Sequence, residues 1–583
     1  MISVFKKPIY TRKYSLCSQP HGQTSISLCV WTHPVFSILP RSLFSSSRPF
    51  PIHLSDRSFE FRLSASYCRL SETIQIATSD SQVMKRFPLE FCANNGICRH
   101  GMKMTTRMLS RSTTLARSLV GVKTRECTFP IADKKPVFSD LRAACSSIKS
   151  GDNVFVQGIA ATPTPLLNAL CDHVKENNLN KITLHHLHLE GPTPWIEPDV
   201  KDRIRSNSLF TGHNLRKSIN DGTADFNSIF LNEVPMLFRR GAIKLNAALI
   251  QVSPPDANGF CSLGTSVDTT RAAVTTADFI IALSNKNMPR TFGDAVIHAS
   301  HFDVLVEDHE HLLHPRPFGE LGEVNRKIGR IIADNLVDDG ATLQMGMFRS
   351  DRQLIMKFKG IGGVPDAALD ALREHKDLGI HTEMFSDGIL PLLECNAITN
   401  AKKYHHPGRV VTSFVYGSKK LYDFLHDNPL VHFGDVQWVN DPAIIRQNPK
   451  VTAINSAVEV DLTGQVVADS VGTRFLSGFG GQVDFIRGAG IGNDGLGKPI
   501  IALPSTAAKA KQSKIVPYIS QGAGVVTTRS HVHYVVTEYG VAQLWGKNVR
   551  QRAHQLIQIA HPDNRESLEK AAFERLKVMP SAD

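Results

Sequence analysis

The sequence predicts an α/β protein with two domains, on the basis of three observations. From residue 128 onward, short apolar runs alternate with segments of helical spacing, and glycine- or proline-containing turns separate them. Several of the apolar runs are continuous, as in strands that are buried on both faces of a parallel sheet. Regular alternation of strands and helices is typical of crossover connections, and therefore of α/β architecture.

The predicted elements follow one another in strand–helix order through both domains. Strands are predicted at 153–157, 181–185, 248–252, 279–283, 410–415, 499–503, 524–527 and 533–536. Helices are predicted at 165–174, 324–338, 366–376 and 565–576. The proline-containing stretch 311–319 is interpreted as the link between an N-terminal domain, 128–316, and a C-terminal domain, 317–583.

The net charge of +12 is confined to an N-terminal leader, residues 1–127. This leader has 18 Lys and Arg against 6 Asp and Glu, whereas the rest of the chain has 48 of each class. Nucleic-acid binding needs clustered positive charge on the folded region, so we predict no nucleic-acid partner. A membrane-spanning helix needs a run of roughly eighteen apolar residues, and the sequence contains none.

Residues 104–125 have the composition of a mitochondrial transit peptide. They contain no Asp or Glu, are rich in Arg, Ser and Thr, and carry interspersed Met, Leu and Val. A disordered basic tail is the alternative interpretation. Residues 1–101 precede this segment and are interpreted as lying upstream of the functional protein. We expect the functional protein to be located in the mitochondrial matrix.

The cysteines and histidines predict neither a disulfide framework nor a metal site. The ten cysteines include no Cys-x-x-Cys pair, and six of them lie in the leader. His185, His186 and His188 with Glu190 are residue types that bind metals. Alternation along a strand would place these side chains on both faces, so we predict no metal centre there.

A glycine pair, Gly362 and Gly363, precedes the predicted helix 366–376. Glycines let backbone N–H groups approach a ligand closely, and the N-terminus of a helix attracts anions. Gly379 is predicted to follow the end of this helix, where glycine is favoured.

Glu383 is the strongest candidate for chemistry. The predicted strand 379–388 places it between apolar neighbours, just before an Asp-Gly turn. Partial desolvation there would raise both the pKa and the nucleophilicity of a carboxylate. A glutamate on the polar face of an edge strand would give the same pattern.

A second glycine-rich segment, 477–485, contains Gly478, Gly480 and Gly481. Three glycines in four positions allow several backbone N–H groups to converge on an oxyanion or a diphosphate. A tight strand-to-helix turn is the alternative interpretation of this segment.

Several longer motifs resemble those of the acetyl-CoA hydrolase / 4-hydroxybutyrate CoA-transferase family. They include HTEMFSDG at 381–388, GGQVDF at 480–485 and TTRSHVHYVVTEYG at 527–540, with shorter matches at 251–256, 261–266 and 288–291. The resemblance spans about residues 128–578. Within that family, the chain resembles the mitochondrial acetate:succinate CoA-transferases. This resemblance implies two similar open α/β domains of the CoA-transferase type, with the active site between them.

The resemblance also implies a covalent mechanism. Glu383 matches the family's nucleophile, which attacks an acyl-CoA thioester and passes through a glutamyl-CoA thioester. Backbone donors to the oxyanion contribute about 3 kcal/mol each in such reactions. The residues that the resemblance assigns to oxyanion or CoA binding are Gln344, Gly346, Gly362, Gly363, Asn455, Gly478, Gly480, Gly481 and Gln482. Coenzyme A is then a substrate and part of the covalent intermediate, no cofactor is tightly bound, and a homodimer is expected by analogy.

Fourteen residues, 347–360, depart from the family pattern. Similar family members run directly from a strand like 343–346 into a segment like 361–365. In this chain the fourteen residues stand between the two segments, and four of them are basic and one is acidic. A surface loop tolerates such an insertion, but a loop that must place N–H groups accurately does not.

Taken with the family resemblance, the sequence predicts a CoA-transferase, with acetate and succinate as the expected acids. An acetyl-CoA hydrolase that uses the same intermediate and a catalytically disabled variant are the alternatives.

Overall fold

The computed structural model describes residues 125–316, 321–346, 363–507 and 512–583, together with the backbone of two strands in the leader. Those strands, Phe50–Leu54 and Arg57–Phe61, pair antiparallel as a hairpin. Residues 116–583 form a compact unit of their own that contains every other described element. The predicted transit peptide as far as residue 124, the insertion 347–360 and Gly362 lie outside the described residues.

An eight-stranded sheet, parallel throughout, forms the first half of this unit. Continuous apolar runs such as 247–252 occupy its centre, where every side chain is buried. The spatial order of its strands is Val137–Phe138, Val304–Glu307, Phe279–Ser284, Ala247–Val252, Asn153–Val156, Ile182–His186, Ile204–Ser208 and Asp225–Phe226.

A six-stranded sheet forms the second half, and it is parallel except for its last strand. The spatial order of its strands is Gly379–Ile380, Thr342–Met345, Thr452–Ser456, Lys498–Ala502, Tyr534–Thr537 and Gly540–Gln543. Two open sheets that are mainly parallel match the predicted fold class. One apolar cluster contains side chains of both sheets, among them Phe155 and Ile280 of the first and Leu343 and Ile454 of the second.

Several small sheets are formed by other segments of the chain. The segment 410–415, predicted as one strand, is divided at Ser413 between two of these small sheets. The strands concerned are Phe292–Gly293, Val431–Phe433 and Val410–Thr412 in one sheet and Met384–Phe385 with Phe414–Val415 in another. The remaining short strands are Phe260–Ser262, Val296–His298, Glu459–Asp461, Val466–Val467, Ser470–Val471, Arg474–Phe475, Thr506–Ala507, Gln512–Ser513 and Ile515–Val516.

Helices connect the strands, and the longer ones lie close to their predicted positions. The helices of the first half are Leu141–Ala144, Thr164–Glu176, Arg216–Asn220, Val234–Arg239 and Thr270–Thr276. Those of the second half are Glu323–Leu336, Val364–Asp370, Leu390–Glu394, Lys419–Leu425, Val436–Val439, Pro442–Ile445, Gln482–Gly490, Val549–Gln558 and Pro562–Leu576. Single 3-10 turns occur at Pro194–Ile196, Leu231–Glu233, Ala299–His301 and Asp387–Ile389.

Three local predictions are wrong. The segment 524–527 forms no strand, because only Thr527 makes a bridge, to Val466. The helix predicted at 366–376 ends at Asp370, and Gly379 begins an edge strand instead of following a helix. The strand predicted at 379–388 is interrupted, because one strand ends at Ile380 and a separate strand begins at Met384.

No helix in the described part of the chain is long and apolar enough to cross a membrane.

Candidate active site

A pocket opens at the carboxyl end of the six-stranded sheet. Two neighbouring strands of that sheet, Thr342–Met345 and Thr452–Ser456, contribute their last residues to it. Ligands of open α/β sheets bind at the carboxyl ends of the strands, so the pocket lies where a substrate is expected. The sequence-predicted residues that line it are Gln344, Gly346, Glu383, Asn455, Gly478, Gly480, Gly481 and Gln482.

Gly363, by contrast, does not line this pocket. It lies directly before the helix Val364–Asp370, and a Cβ added there would meet the Asn325 amide nitrogen at 2.8 Å. The structure therefore separates Gly363 from the other predicted residues. Its neighbour Gly362 is outside the described range.

Glu383 lies where the chain passes from one sheet to another. Gly379–Ile380 pairs with Thr342–Leu343 in the six-stranded sheet, whereas Met384–Phe385 pairs with Phe414–Val415. The Glu383 carbonyl oxygen accepts hydrogen bonds from the backbone N–H groups of Ser413 and Phe414, at 3.0 and 3.1 Å. Its main chain is therefore held on both sides, although Glu383 itself belongs to neither strand.

The side chain of Glu383 is half-buried and accepts two neutral donors. The Asn440 amide nitrogen donates to its Oε2 at 2.9 Å, and the Gly481 backbone N–H donates to the same carboxylate. Desolvation by burial raises the pKa of Glu383 most, the hydrogen bonds from Asn440 and Gly481 lower it, and the charge of Asp268 adds a smaller rise. The net result is a pKa raised to about 7. The carboxylate of Glu383 is therefore partly desolvated, as the sequence predicts. Glu383 does not lie on the polar face of an edge strand, because it belongs to no strand.

Gly481 has no side chain because Glu383 and Asn440 leave no room for one. A Cβ at this position would lie 2.0 Å from Glu383 Oε2 and 2.2 Å from the Asn440 amide nitrogen. Gly480 is required for a different reason, because its φ of +58° lies in the left-handed region that favours glycine. The segment does form a turn into the helix Gln482–Gly490, and that same turn faces the carboxylate.

Hydrogen-bonded amide side chains shape the wall of the pocket. Asn455 donates to Gln344 Oε1 at 2.8 Å, and a Cβ on Gly346 would lie 2.3 Å from Asn455 Oδ1. Gln482 donates to the Ser456 carbonyl oxygen at 2.8 Å and accepts from Thr527 Oγ1 at 3.0 Å. These amides fix the ends of the strands relative to the glycine-rich loop.

The first half of the unit also contributes to the pocket. Phe210 follows the strand Ile204–Ser208 and lines the pocket opposite Gly478, whose added Cβ would meet the Phe210 ring at 3.2 Å. The Leu231 N–H donates to the Gly480 carbonyl oxygen at 3.2 Å. The pocket is thus built from both halves of the unit, as the sequence resemblance implies.

Sequence reasoning missed Asn440, Asp484 and Phe210. Asn440 is fully buried after the short helix Val436–Val439, and no motif around it indicates a role. Asp484 lies inside the GGQVDF motif, but the motif alone indicates no role for this residue. Phe210 is distant in sequence from every other pocket residue, so only the fold shows where it lies.

The histidine cluster on the first sheet is a hydrogen-bonded part of the core. His188 Nε2 lies 2.9 Å from Glu190 Oε1, and His185 Nε2 lies 2.9 Å from Asn153 Oδ1. Within the described residues, no group of three or more His, Cys, Asp or Glu side chains has the arrangement of a metal site.

Comparison with known proteins agrees with this architecture. Models of the acetyl-CoA hydrolase/transferase N-terminal and C-terminal domains match residues 135–314 and 417–572. A succinyl-CoA:acetate/propanoyl-CoA:succinate CoA transferase from Fasciola hepatica is 57% identical over 74% of this chain and 87% of its own length. A 4-hydroxybutyrate coenzyme A transferase from Clostridium kluyveri is 45% identical over 73% of this chain and 94% of its own. The chain belongs to the acetyl-CoA hydrolase/transferase family.

The fold is shared with a solved structure as well. The crystal structure of RipA from Yersinia pestis has a TM-score of 0.68 and 33% sequence identity, and it covers 76% of this chain and 98% of its own. Acetyl-CoA hydrolases are also relatives, but at about 25% identity. The two CoA-transferases named above are therefore more similar to this chain than these hydrolases are.

Proposed function

We propose that this protein transfers coenzyme A between acyl-CoA thioesters and small carboxylates, with Glu383 as the covalent nucleophile. The observation that supports this most directly is the setting of Glu383. Its carboxylate is desolvated in a pocket, with a pKa of about 7, and two neutral N–H donors hold it in place. Acetate and succinate are the proposed acids, since a relative with 57% identity is named for both.

The first step forms an anhydride on the enzyme. A carboxylate oxygen of Glu383 attacks the thioester carbonyl carbon, and the C–S bond breaks as the CoA thiolate leaves. The thiolate then attacks the glutamyl carbonyl carbon and releases the first carboxylate. The product is a glutamyl-CoA thioester, and no proton is gained or lost in the exchange.

The second acid reverses the sequence. Its carboxylate attacks the glutamyl thioester carbon and expels the CoA thiolate, which then attacks the acyl carbon of the new anhydride. The new acyl-CoA leaves and the Glu383 carboxylate is restored. Because one product leaves before the second acid reacts, ping-pong kinetics are expected.

The donors already in contact with Glu383 suit the charge that develops in these steps. Each attack on the glutamyl carbon places negative charge on a Glu383 oxygen, beside the Gly481 N–H and the Asn440 amide. A fixed donor of this kind contributes about 3 kcal/mol to the stability of the transition state. A carboxylate with a raised pKa is also the better nucleophile once it has lost its proton.

The same proposal includes the cellular setting and assembly. The acid-free, arginine-rich composition of residues 104–125 supports import into the mitochondrial matrix. We also propose that the chain consists of two domains, residues 128–316 and 317–583, and that two copies of it form a homodimer. Targeting is tested by fusing residues 102–127 to a fluorescent protein and following its location in cells.

Trapping of the glutamyl-CoA thioester is the decisive experiment. Borohydride reduces such a thioester to an alcohol, which a peptide mass spectrum locates. The full-length protein is incubated with acetyl-CoA and borohydride, with and without succinate, beside the E383Q variant. The proposal predicts a reduced residue at 383 in the unsubstituted protein and none in E383Q.

The products then separate transfer from hydrolysis. Succinyl-CoA that forms only when succinate is present supports transfer. CoA release that is independent of succinate would mean hydrolysis through the same intermediate. A folded protein that shows neither an adduct nor CoA release would contradict the proposed function.

A further inference from the structure

Asp484 is an unassigned acid beside the proposed nucleophile. It is the third residue of the helix Gln482–Gly490 and is 4% exposed. The Asn440 amide nitrogen lies 2.9 Å from Glu383 Oε2 and 3.4 Å from Asp484 Oδ2. The two hydrogens of the Asn440 amide group can therefore be donated to two different carboxyl groups, one to Glu383 and the other to Asp484.

The groups that face Asp484 disfavour its ionised form. Burial, followed by the negative charges of Glu383 and Glu233, raises its pKa, and the net result lies well above the usual range. The Asn440 amide and the Asn232 backbone N–H, which lies 3.4 Å from Oδ2, act in the opposite direction. Two adjacent carboxyl groups in a site of low polarity cannot easily ionise together, so one of the pair keeps its proton.

The orientation of the Asn440 amide decides whether it helps or opposes the nucleophile. With its nitrogen toward Glu383, it donates to the carboxylate, and its Oδ1 is buried with no hydrogen-bond partner among the described residues. A flipped amide would turn a carbonyl oxygen toward the carboxylate and repel it. An acceptor that takes the second amide hydrogen therefore stabilises the productive orientation.

We propose that Asp484 acts as a neutral carboxylic acid that holds the Asn440 amide with its nitrogen toward Glu383. Asp484 is then a positioning residue, because it acts on the nucleophile only through Asn440. The proposal rests on the proposed function of Glu383. It explains why an acid is placed in a buried position where it adds no charge to the site.

Two substitutions at this position separate the hydrogen bond from the charge. Asp484→Asn keeps a carbonyl acceptor for Asn440 and is neutral, like the protonated acid. We expect it to keep kcat within about threefold and to leave the apparent pKa of kcat/KM unchanged. Asp484→Leu removes the acceptor at similar volume, and we expect kcat to fall about 10- to 100-fold with little change in the KM for acetyl-CoA. Circular dichroism and a thermal melt check that both variants are folded.

Two kinetic outcomes would overturn the proposal. A fall in the apparent pKa in Asp484→Asn would mean that Asp484 had carried a charge, because removal of a like charge makes Glu383 easier to ionise. An unchanged kcat in a folded Asp484→Leu variant would mean that Asn440 needs no such partner.

An infrared measurement keeps this test independent of the proposed function. A protonated carboxyl group has a carbonyl stretch that a carboxylate lacks. At a pH above the titration of Glu383, we expect this band in the unsubstituted protein and its loss in Asp484→Asn. If the band is present but the protein transfers no CoA, the proposed function fails and the neutral state of Asp484 stands. If the band is absent, the neutral acid is wrong whatever the activity.

Discussion

Gly481 and Gly363, two glycines that each directly precede a helix, have different surroundings in this protein. The loop 477–481 lines the pocket, and its last glycine is in contact with Glu383. Gly363 also precedes a short helix, yet it packs against Asn325 and lies outside the pocket lining. The comparison shows that glycine in such a loop has two distinct uses, close approach to a functional group and close packing against a scaffold helix.

Gly481→Ala is expected to have the largest effect. Its methyl group would overlap Glu383 Oε2 and the Asn440 amide nitrogen, so both groups must move. Displacement of one oxyanion donor lowers kcat about 100- to 1,000-fold in comparable sites. Steady-state kinetics with acetyl-CoA and succinate measure the effect, and a thermal melt shows whether the fold is intact. A folded variant with normal kcat would remove the distinction between the two loops.

Deletion of residues 347–360 tests the other loop. It joins Gly346, which lines the pocket, directly to Ile361 and so restores the spacing of similar family members. We expect kcat/KM to rise by up to about 100-fold, since misplacement of binding groups by about an ångström has effects of that size. An unchanged kcat/KM would mean that the insertion is compatible with the active site as it stands.

The pH dependence of kcat/KM tests the setting of Glu383 itself. In the proposed mechanism only the ionised carboxylate attacks, and the pKa of Glu383 is raised to about 7. We therefore expect kcat/KM to fall about tenfold per pH unit below 7 and to level off above it. A profile that is flat down to pH 5 would show that the carboxylate is well solvated and that Gly481 does not enclose it.

The same shift predicts a pH-dependent change in stability. The folded state binds the Glu383 proton more tightly than the unfolded chain does, because the pKa rises from 4.5 to about 7 on folding. The stability from this group is complete below pH 4.5 and is lost as the pH rises through 7. Glu383→Gln should therefore raise the free energy of unfolding by about 3 kcal/mol at pH 8 and by little at pH 4. Urea denaturation at the two pH values measures the difference.

Gly363→Ala is the matched control for Gly481→Ala, and it should have the smallest effect. The added methyl group would press on the end of the Asn325 side chain, which can shift. We expect less than a threefold change in kcat in the full-length chain, with a loss of stability of about 1 kcal/mol. In the 347–360 deletion variant, the same substitution should become more harmful if the Gly362–Gly363 loop then reaches the ligand.

The sequence predicted the elements with strong local signals. Apolar runs such as 248–252 and 279–283 are strands buried on both faces, because burial in a parallel sheet leaves a continuous apolar pattern. The segment 524–527 has a similar pattern and forms no strand. Short apolar runs specify burial more reliably than they specify pairing, since pairing depends on which neighbour is available.

The candidate site was predictable where a motif marks it and not where the fold alone assembles it. Glu383 and Gly481 lie in motifs that resemble a known family, and the structure places both in one pocket. Asn440 lies 57 positions from Glu383 in sequence, and its amide meets the carboxylate only in the folded chain. The sequence around a single buried asparagine contains no periodicity or spacing that would predict such a contact.

The passage of the chain from one sheet to another at Glu383 limits how this site can be changed. The pairs on its two sides, Ile380 with Leu343 and Met384 with Phe414, belong to different sheets and are only four residues apart. An insertion or deletion of one residue between them would turn the side chains of one strand to its opposite face. A redesign of this enzyme therefore has to replace Glu383 in place, and length changes belong in loops outside residues 380–384.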